Sequence, residues 1–328
     1  MDNQLNVAED TISVRKIVEG LGWLALVVLL NIAGNYSGFL NIVGLVLFPL
    51  PIIIMVMRTG IKTSLLCSII ASLATAFFIS VQASMQLLLQ YGALGLLMGY
   101  NIRRGYPALL TYLSSTVIAA GGIVAALSLR LSASGYSLAT LQEAMQSSLD
   151  EYIALAGSQG FEPASGPMMA ADLISKGQSI LPAAIVLAAL AVSGLCFLLA
   201  RSVLRRLRFQ LPELKLFRYW HCHRLLAVIS LIGGLCLLYG REGSWPNIFG
   251  LNIVYIALPV AFVAGYSLLV WLYGVWTAKI WRKAILTCAA LILLWRYAII
   301  GITAAGFLDM LVDIRRIKIN TRRADKAV

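Results

Sequence analysis

Arg205–Arg224 reads RRLRFQLPELKLFRYWHCHR. By itself this stretch allows three readings. It is a basic run with interleaved aromatics of the kind that binds nucleic acid, a His-Cys-His metal site, or the seam between two membrane-embedded halves. Its flanks decide. Upstream, Ser179–Ala200 is an uncharged apolar run, and downstream Leu225–Tyr239 and Phe249–Tyr273 are two more. A hydrocarbon core about 30 Å thick calls for roughly 20 apolar residues per helix. The flanks are therefore membrane segments and the stretch is a loop between them. No nucleic-acid-binding module surrounds it, and no nucleic-acid partner is expected.

The rest of the chain agrees. Of its 328 residues, 60% are hydrophobic and only 12% charged, and its mean hydropathy is +0.86. A soluble domain needs more charge than this on its surface. Further apolar runs are Ile17–Ala33, Phe39–Met57, Leu65–Ser80, Met85–Tyr100, Pro107–Leu129 and Ala284–Leu311. The fold expected is an all-α polytopic transmembrane helical bundle with about 8–10 membrane segments. Several runs are short, which predicts tilted or partly re-entrant helices. Pro49 and Pro51 each remove a backbone donor and predict a break in the second span. The first run follows a polar tail without a clear cleavage site, and is expected to be a retained span.

These runs divide the chain into residues 1–204, a six-span N-terminal membrane block with an external loop at 130–178; 205–224, a basic cytoplasmic linker; 225–314, a C-terminal membrane block; and 315–328, a basic cytoplasmic tail. The formal net charge of +12 is concentrated in alternate loops. Arg15 and Lys16 precede the first span, Arg58 and Lys62 follow the second, and Arg103 and Arg104 follow the fourth. The positive-inside rule then predicts a multi-pass protein with a cytoplasmic N-terminus. A ninth single crossing would carry the basic tail outside, so Ala284–Leu311 is read as a hairpin turning at Trp295-Arg296-Tyr297, or else as one long tilted helix. In the external loop, Leu138, Leu141, Met145, Leu149, Tyr152 and Ala156 recur at helical spacing, which predicts an amphipathic helix. The breaker GSQGFEPASGP follows it.

Chemistry-bearing constellations are scarce. Zinc takes about four ligands, and His221 and His223 are the only histidines, so the His-Cys-His run predicts no metal site. Phe217, Tyr219 and Trp220 fit headgroup-level anchors, with Arg205, Arg206 and Arg208 facing anionic lipid or a protein partner. Four of the five cysteines lie inside apolar segments and read as small packed hydrophobes. No GxSxG, HExxH or Walker loop is present, so no enzyme and no cofactor is expected.

Polar residues at membrane depth carry the remaining signal. Gln82, Gln86 and Gln90, at i, i+4 and i+8, fall on one helical face, and Asn31, Asn35 and Asn41 cluster about the first external turn. Amides both donate and accept, which suits a small polar, neutral or zwitterionic solute; interhelical hydrogen bonding is the competing reading. Gly92, Gly95 and Gly99 predict close helix packing. Asp309 and Asp313, beside Arg315 and Arg316, predict an ion-pair cluster at the cytoplasmic interface.

Several motifs together resemble the YybS-like family of bacterial membrane proteins. These are Pro49-Leu50-Pro51 followed by Arg58-Thr59-Gly60, the linker LPELKLFRYW, and Gly306-Phe307-Leu308-Asp309 with Asp313-Ile314-Arg315-Arg316. That resemblance implies residence in a bacterial cytoplasmic (inner) membrane and brings no established activity. The first six spans are also similar in layout to the substrate-binding S components of energy-coupling-factor transporters. This implies a pocket near the outer face, where Asn31, Asn35, Gln82 and Gln86 fall, and a separate energising subunit. The chain departs from that pattern in two places: Ala25 is followed four residues later by Leu29 rather than alanine, and a further membrane block follows. The function expected is a transport-related, solute-binding component. The alternative is a membrane scaffold or assembly factor that docks partners on its basic face.

Overall fold

The computed structural model describes residues 14–36, 38–135, 165–209, 216–220, 222–276 and 295–315, with isolated residues of 137–151 and 211–214 between them. The regular elements among the described residues are all helical. In lipid no water satisfies the backbone, so a spanning segment must make its hydrogen bonds within itself. Four helices among the described residues are long and apolar enough to cross a membrane: Ile61–Phe78, Ala108–Ser134, Ser179–Arg206 and Trp245–Leu272. Val18–Gly34, Val43–Thr59, Arg224–Tyr239 and Tyr297–Val312 are shorter apolar helical stretches. Phe77, Leu109, Val117 and Leu238 are exposed on these helices, an apolar exterior that meets the lipid bilayer. The protein is an all-α, polytopic membrane protein.

The chain forms two compact units, Met1–Ser175 with Ile185–Glu213, and Lys176–Ala184 with Leu214–Val328. The first unit opens with α1 (Val14–Tyr36), α2 (Gly38–Leu47) and α3 (Pro49–Thr59). The division between α2 and α3 falls at Phe48, because Pro49 and Pro51 occupy the first turn of α3, where a missing N–H leaves no rung unmade. Gly60, at φ 94°, ends α3 in a conformation that favours glycine. The chain then enters α4 (Ile61–Phe78).

The apolar run read from the sequence starts at Leu65, after Thr63 and Ser64. Both are buried in the helix. Ser64 Oγ donates to Gly60 O at 2.7 Å, Ser68 Oγ to Ser64 O at 2.8 Å and Thr75 Oγ1 to Ala71 O at 2.8 Å. A hydroxyl bonded to the preceding turn is no longer an unsatisfied polar group, so the span reaches 18 residues.

Next, α5 (Val81–Gln86), a π-helical turn at Leu87–Gly92 and α6 (Ala93–Arg103) run end to end, longer than the expected Met85–Tyr100. A Cβ on Gly95 would lie 2.9 Å from both Ile52 Cβ and Pro49 O, and one on Gly99 2.9 Å from Val56 Cβ. The small-residue face of α6 is therefore where α3 packs backbone-close. After α7 (Ala108–Ser134) comes α8 (Ser165–Arg206). These helices take in residues 130–134 and 165–178, which sequence assigns to the external loop. Pro167, placed in the breaker by sequence, sits in the first turn of α8, where proline is tolerated. The stripe from Leu138 to Ala156 lies outside the described residues.

In the second unit are α9 (Arg224–Tyr239), α10 (Trp245–Trp276) and α11 (Trp295–Val312). His223 Nδ1 accepts the Leu225 N–H at 3.2 Å and caps α9. Glycines set the spacing of this bundle. A Cβ on Gly233 would lie 2.8 Å from Ile253 Cβ, and Cβ atoms on Gly265 and Gly306 would collide with Ile302 O and Ala261 O. Pro182 interrupts the ladder of α8, and Asn252 of α10 fills the gap. Ala183 N–H donates to Asn252 Oδ1 at 2.8 Å, and Asn252 Nδ2 donates to Ser179 O at 2.6 Å. The amide thus takes the place of a helical rung. Trp295, Arg296 and Tyr297, where a turn was expected, belong to the first turn of α11. Residues 277–294, with Cys288, and the tail 316–328 lie outside the described residues.

Candidate functional site

Ser80 caps α5 by accepting the Ala83 N–H at 3.1 Å. From this cap the helix carries Gln82, exposed, and Gln86, half-buried, toward α7. Arg130 lies 22 residues beyond Ala108 on α7, about 33 Å along the axis at 1.5 Å per residue. That distance matches the hydrocarbon thickness, so Arg130 stands at the opposite end of the span from the Arg103–Arg104 turn. Ser80, Gln82, Ala83 and Gln86 meet Ala126, Leu129 and Arg130 around an open cavity of about 210 Å³.

Hydrogen bonds link this cavity to the core. Arg130 Nη2 donates to Gln86 Oε1 at 3.1 Å. Gln86 Nε2 donates to Gln90 Oε1 at 3.1 Å and to Tyr91 Oη at 3.0 Å. The Tyr91 ring meets Phe48 edge-on, with centroids 5.0 Å apart, in a cluster with Val27, Ile52, Ala71 and Leu87. The π turn makes this possible. Its i→i+5 geometry brings Tyr91 to the side of Gln86 that an α-helix reserves for residues three and four away.

Of the residues expected to contact a solute, Gln82 and Gln86 line the cavity, while Gln90 is buried behind Gln86. Asn31 is buried in α1 and is not among the residues lining the cavity. Asn35 and Asn41 lie in α1 and α2, with side chains outside the described residues. Arg130 was missed. The signal that could have found it is electrostatic: it is a cation at a membrane end where the alternation of charged loops predicts none.

The basic seam is arranged differently from the expected linker. Arg205 and Arg206 belong to the last turn of α8, and Arg208 follows it, all three exposed. Arg208 N–H bonds Arg205 O at 3.1 Å and Phe209 N–H bonds Leu204 O at 3.0 Å. This is a Schellman end, with Arg208 at φ 61° in the place usually taken by glycine. Trp220 packs on Phe217, ring centroids 5.3 Å apart.

Inside the second unit, Arg315 is fully buried. Its Nε and Nη2 reach Asp309 Oδ2 at 3.1 and 2.7 Å. Nη1 donates to Arg218 O at 2.7 Å and to Ser267 Oγ at 2.9 Å, and Nη2 also reaches Ala264 O at 3.3 Å. Ser267 Oγ in turn contacts Phe217 O at 2.6 Å and Trp220 O at 2.8 Å. The expected ion pair is there, between Asp309 and Arg315, and it is a buried pin that holds the seam. Asp309 Oδ1 and Asp313 Oδ1 are buried without a hydrogen-bond partner among the described residues. Burial pushes the neighbouring Cys222 thiol above its usual range, Arg315 pulls it down and Asp309 raises it.

No curated protein and no solved structure matches the chain. The family described as "Predicted membrane protein (DUF2232)" matches residues 25–310. That span takes in both membrane units and the whole of the Gln86–Arg130 cavity, and the chain belongs to this family of membrane proteins.

Proposed function

We propose that this protein is a solute-binding component of a membrane transport process, taking a small polar solute into the cavity between α5 and α7. The observation that carries the reading is a polar recess lined by Gln82, Gln86 and Arg130 at the end of otherwise apolar spans. A recess in which a few polar groups converge is the default place to look for a ligand. The layout of the first six spans, similar to S components, supports the same reading, as does the charge alternation that puts Arg130 on the outer side of a bacterial cytoplasmic membrane. Energy would come from a separate subunit or from movement within the bundle.

Native mass spectrometry of the protein, purified from its host in mild detergent, tests this. The expected result is a defined small-molecule adduct that disappears in the A126W variant, whose indole fills the cavity. An ATPase-sized subunit in the same spectrum would identify the energising partner. Lipid adducts alone, the same in wild type and A126W, would defeat the transport reading.

The scaffold reading rests on the exposure of Arg205, Arg206 and Arg208 at the end of α8. Neutralising all three should then release a protein partner and leave any adduct in place.

A further inference from the structure

The polar groups of the cavity differ in what they have left to offer. Gln86 is fully occupied on its donor side: both N–H groups of its amide are engaged by Gln90 and Tyr91, and its carbonyl accepts from Arg130. A solute finds little to bind there. Arg130 has five N–H groups, of which one goes to Gln86 among the described residues, leaving four. Ser80 Oγ accepts from Ala83, so its own O–H is what remains to be given. Gln82 brings an amide, and Ala83, Ala126 and Leu129 complete the wall without polar side-chain atoms. Among the described residues, donors therefore outnumber acceptors, and the one charge lining the cavity is positive.

From this imbalance we infer that the cavity is an oxyanion site: Arg130 is its binding residue, Gln86 its positioning residue, and the ligand presents a carboxylate or phosphate. The inference rests on the solute-binding reading and narrows it from a polar or zwitterionic molecule to one with an anionic group. A guanidinium matches such a group with two parallel N–H···O bonds. Gln86 fixes the direction of the fork, and the π turn fixes Gln86 by tying it to Tyr91 and the core. The same chemistry can be supplied by a dissolved anion or by the phosphate of a lipid headgroup.

The test is thermal unfolding of the full chain in neutral detergent. It is run with succinate, with inorganic phosphate, with glycerol as a neutral polar control, and after adding phosphatidylglycerol or phosphatidylcholine. Wild type, R130Q, R130K and A126W are compared. Arg130 is exposed and holds one bond among the described residues, so R130Q should unfold like wild type without ligand; A126W tests the cavity while keeping the charge.

A rise in midpoint with succinate or phosphate, absent in R130Q and A126W and reduced in R130K, supports an anionic solute. A rise with phosphatidylglycerol alone, lost in the same variants, keeps the oxyanion chemistry and assigns it to a headgroup, which removes the solute reading. Stabilisation by glycerol that survives R130Q but not A126W keeps the solute reading and overturns the anion. No Arg130-dependent shift with any anion or lipid overturns the inference outright. Q86L gives the positioning readout: it should weaken anion binding at least tenfold while leaving Arg130 in place, and an unchanged affinity would remove Gln86 from the site.

Discussion

Arg130 and Arg315 bring the same guanidinium into opposite circumstances. Arg130 is exposed at a cavity and makes one hydrogen bond among the described residues. Arg315 is buried, paired with Asp309, and makes five. Since a guanidinium carries five N–H groups, the second has nothing left for a ligand and the first has most of its capacity free. The two amides repeat the contrast. Asn252 replaces a missing helical rung and is structural, whereas Gln86 orients a side chain that faces open space. Hydrogen-bond occupancy, rather than residue type or membrane depth, separates the pin from the candidate site.

The comparison is easiest to break at Arg315. R315Q should lower stability by about 3–5 kcal/mol, because it leaves the Asp309 carboxylate buried without its counter-charge. R130Q should stay within about 0.5 kcal/mol of wild type, as surface changes do. Denaturant unfolding in mixed micelles measures both, and equal losses would erase the distinction. The double variant D309L/R315M should recover much of the loss, since an apolar pair of similar volume removes both charges together.

The two amides give the next largest effects. N252L strands the Ala183 N–H and the Ser179 carbonyl, at about 1–3 kcal/mol for each orphaned group. Q86L likewise takes the donor from Gln90 Oε1 and Tyr91 Oη, in two buried residues, so its loss should be of the same order. If N252L is neutral, the rung at Pro182 is not maintained by this side chain.

Cys222 reports on the Arg315 pin without perturbing it. Its thiol is raised chiefly by burial, and raised further by Asp309. The unreactive protonated form therefore persists above the ordinary thiol range. Alkylation of a variant with Cys222 as its one cysteine should be slow at neutral pH and accelerate as pH rises. Since Arg315 pulls the value down, R315Q should move that rise to higher pH. A profile like that of a free thiol would show that the seam is open. A small gain is expected at Arg208, whose φ of 61° disfavours most side chains. R208G should gain about 1 kcal/mol and leave the cavity untouched.

Much of the architecture is legible in the sequence. Apolar runs locate the spans, Pro49 and Pro51 mark the break at Phe48, and Gly95 and Gly99 mark the contact with α3. The ends of the spans are not legible, because Thr63 and Ser64 lie outside the apolar run, and the bond from Ser64 to the preceding turn shows only in the fold. The two glutamines of the cavity stand out as amides at membrane depth. Arg130 does not, because nothing local says what faces it. The π turn at Leu87–Gly92 also leaves no mark in composition, and the regular i, i+4, i+8 spacing places Gln90 beside Gln86 and omits Tyr91.

By itself, then, the sequence determined that this chain lives in a membrane as a bundle of helices. That follows from a local requirement: without water, each span must satisfy its own backbone. Only the tertiary structure decided which polar side chains are engaged and which remain free. Their partners are remote in the chain. Arg130 meets Gln86 from 44 residues away, and Arg315 meets Arg218 from 97. Whether a guanidinium is a structural pin or a binding group depends on what packing brings to it.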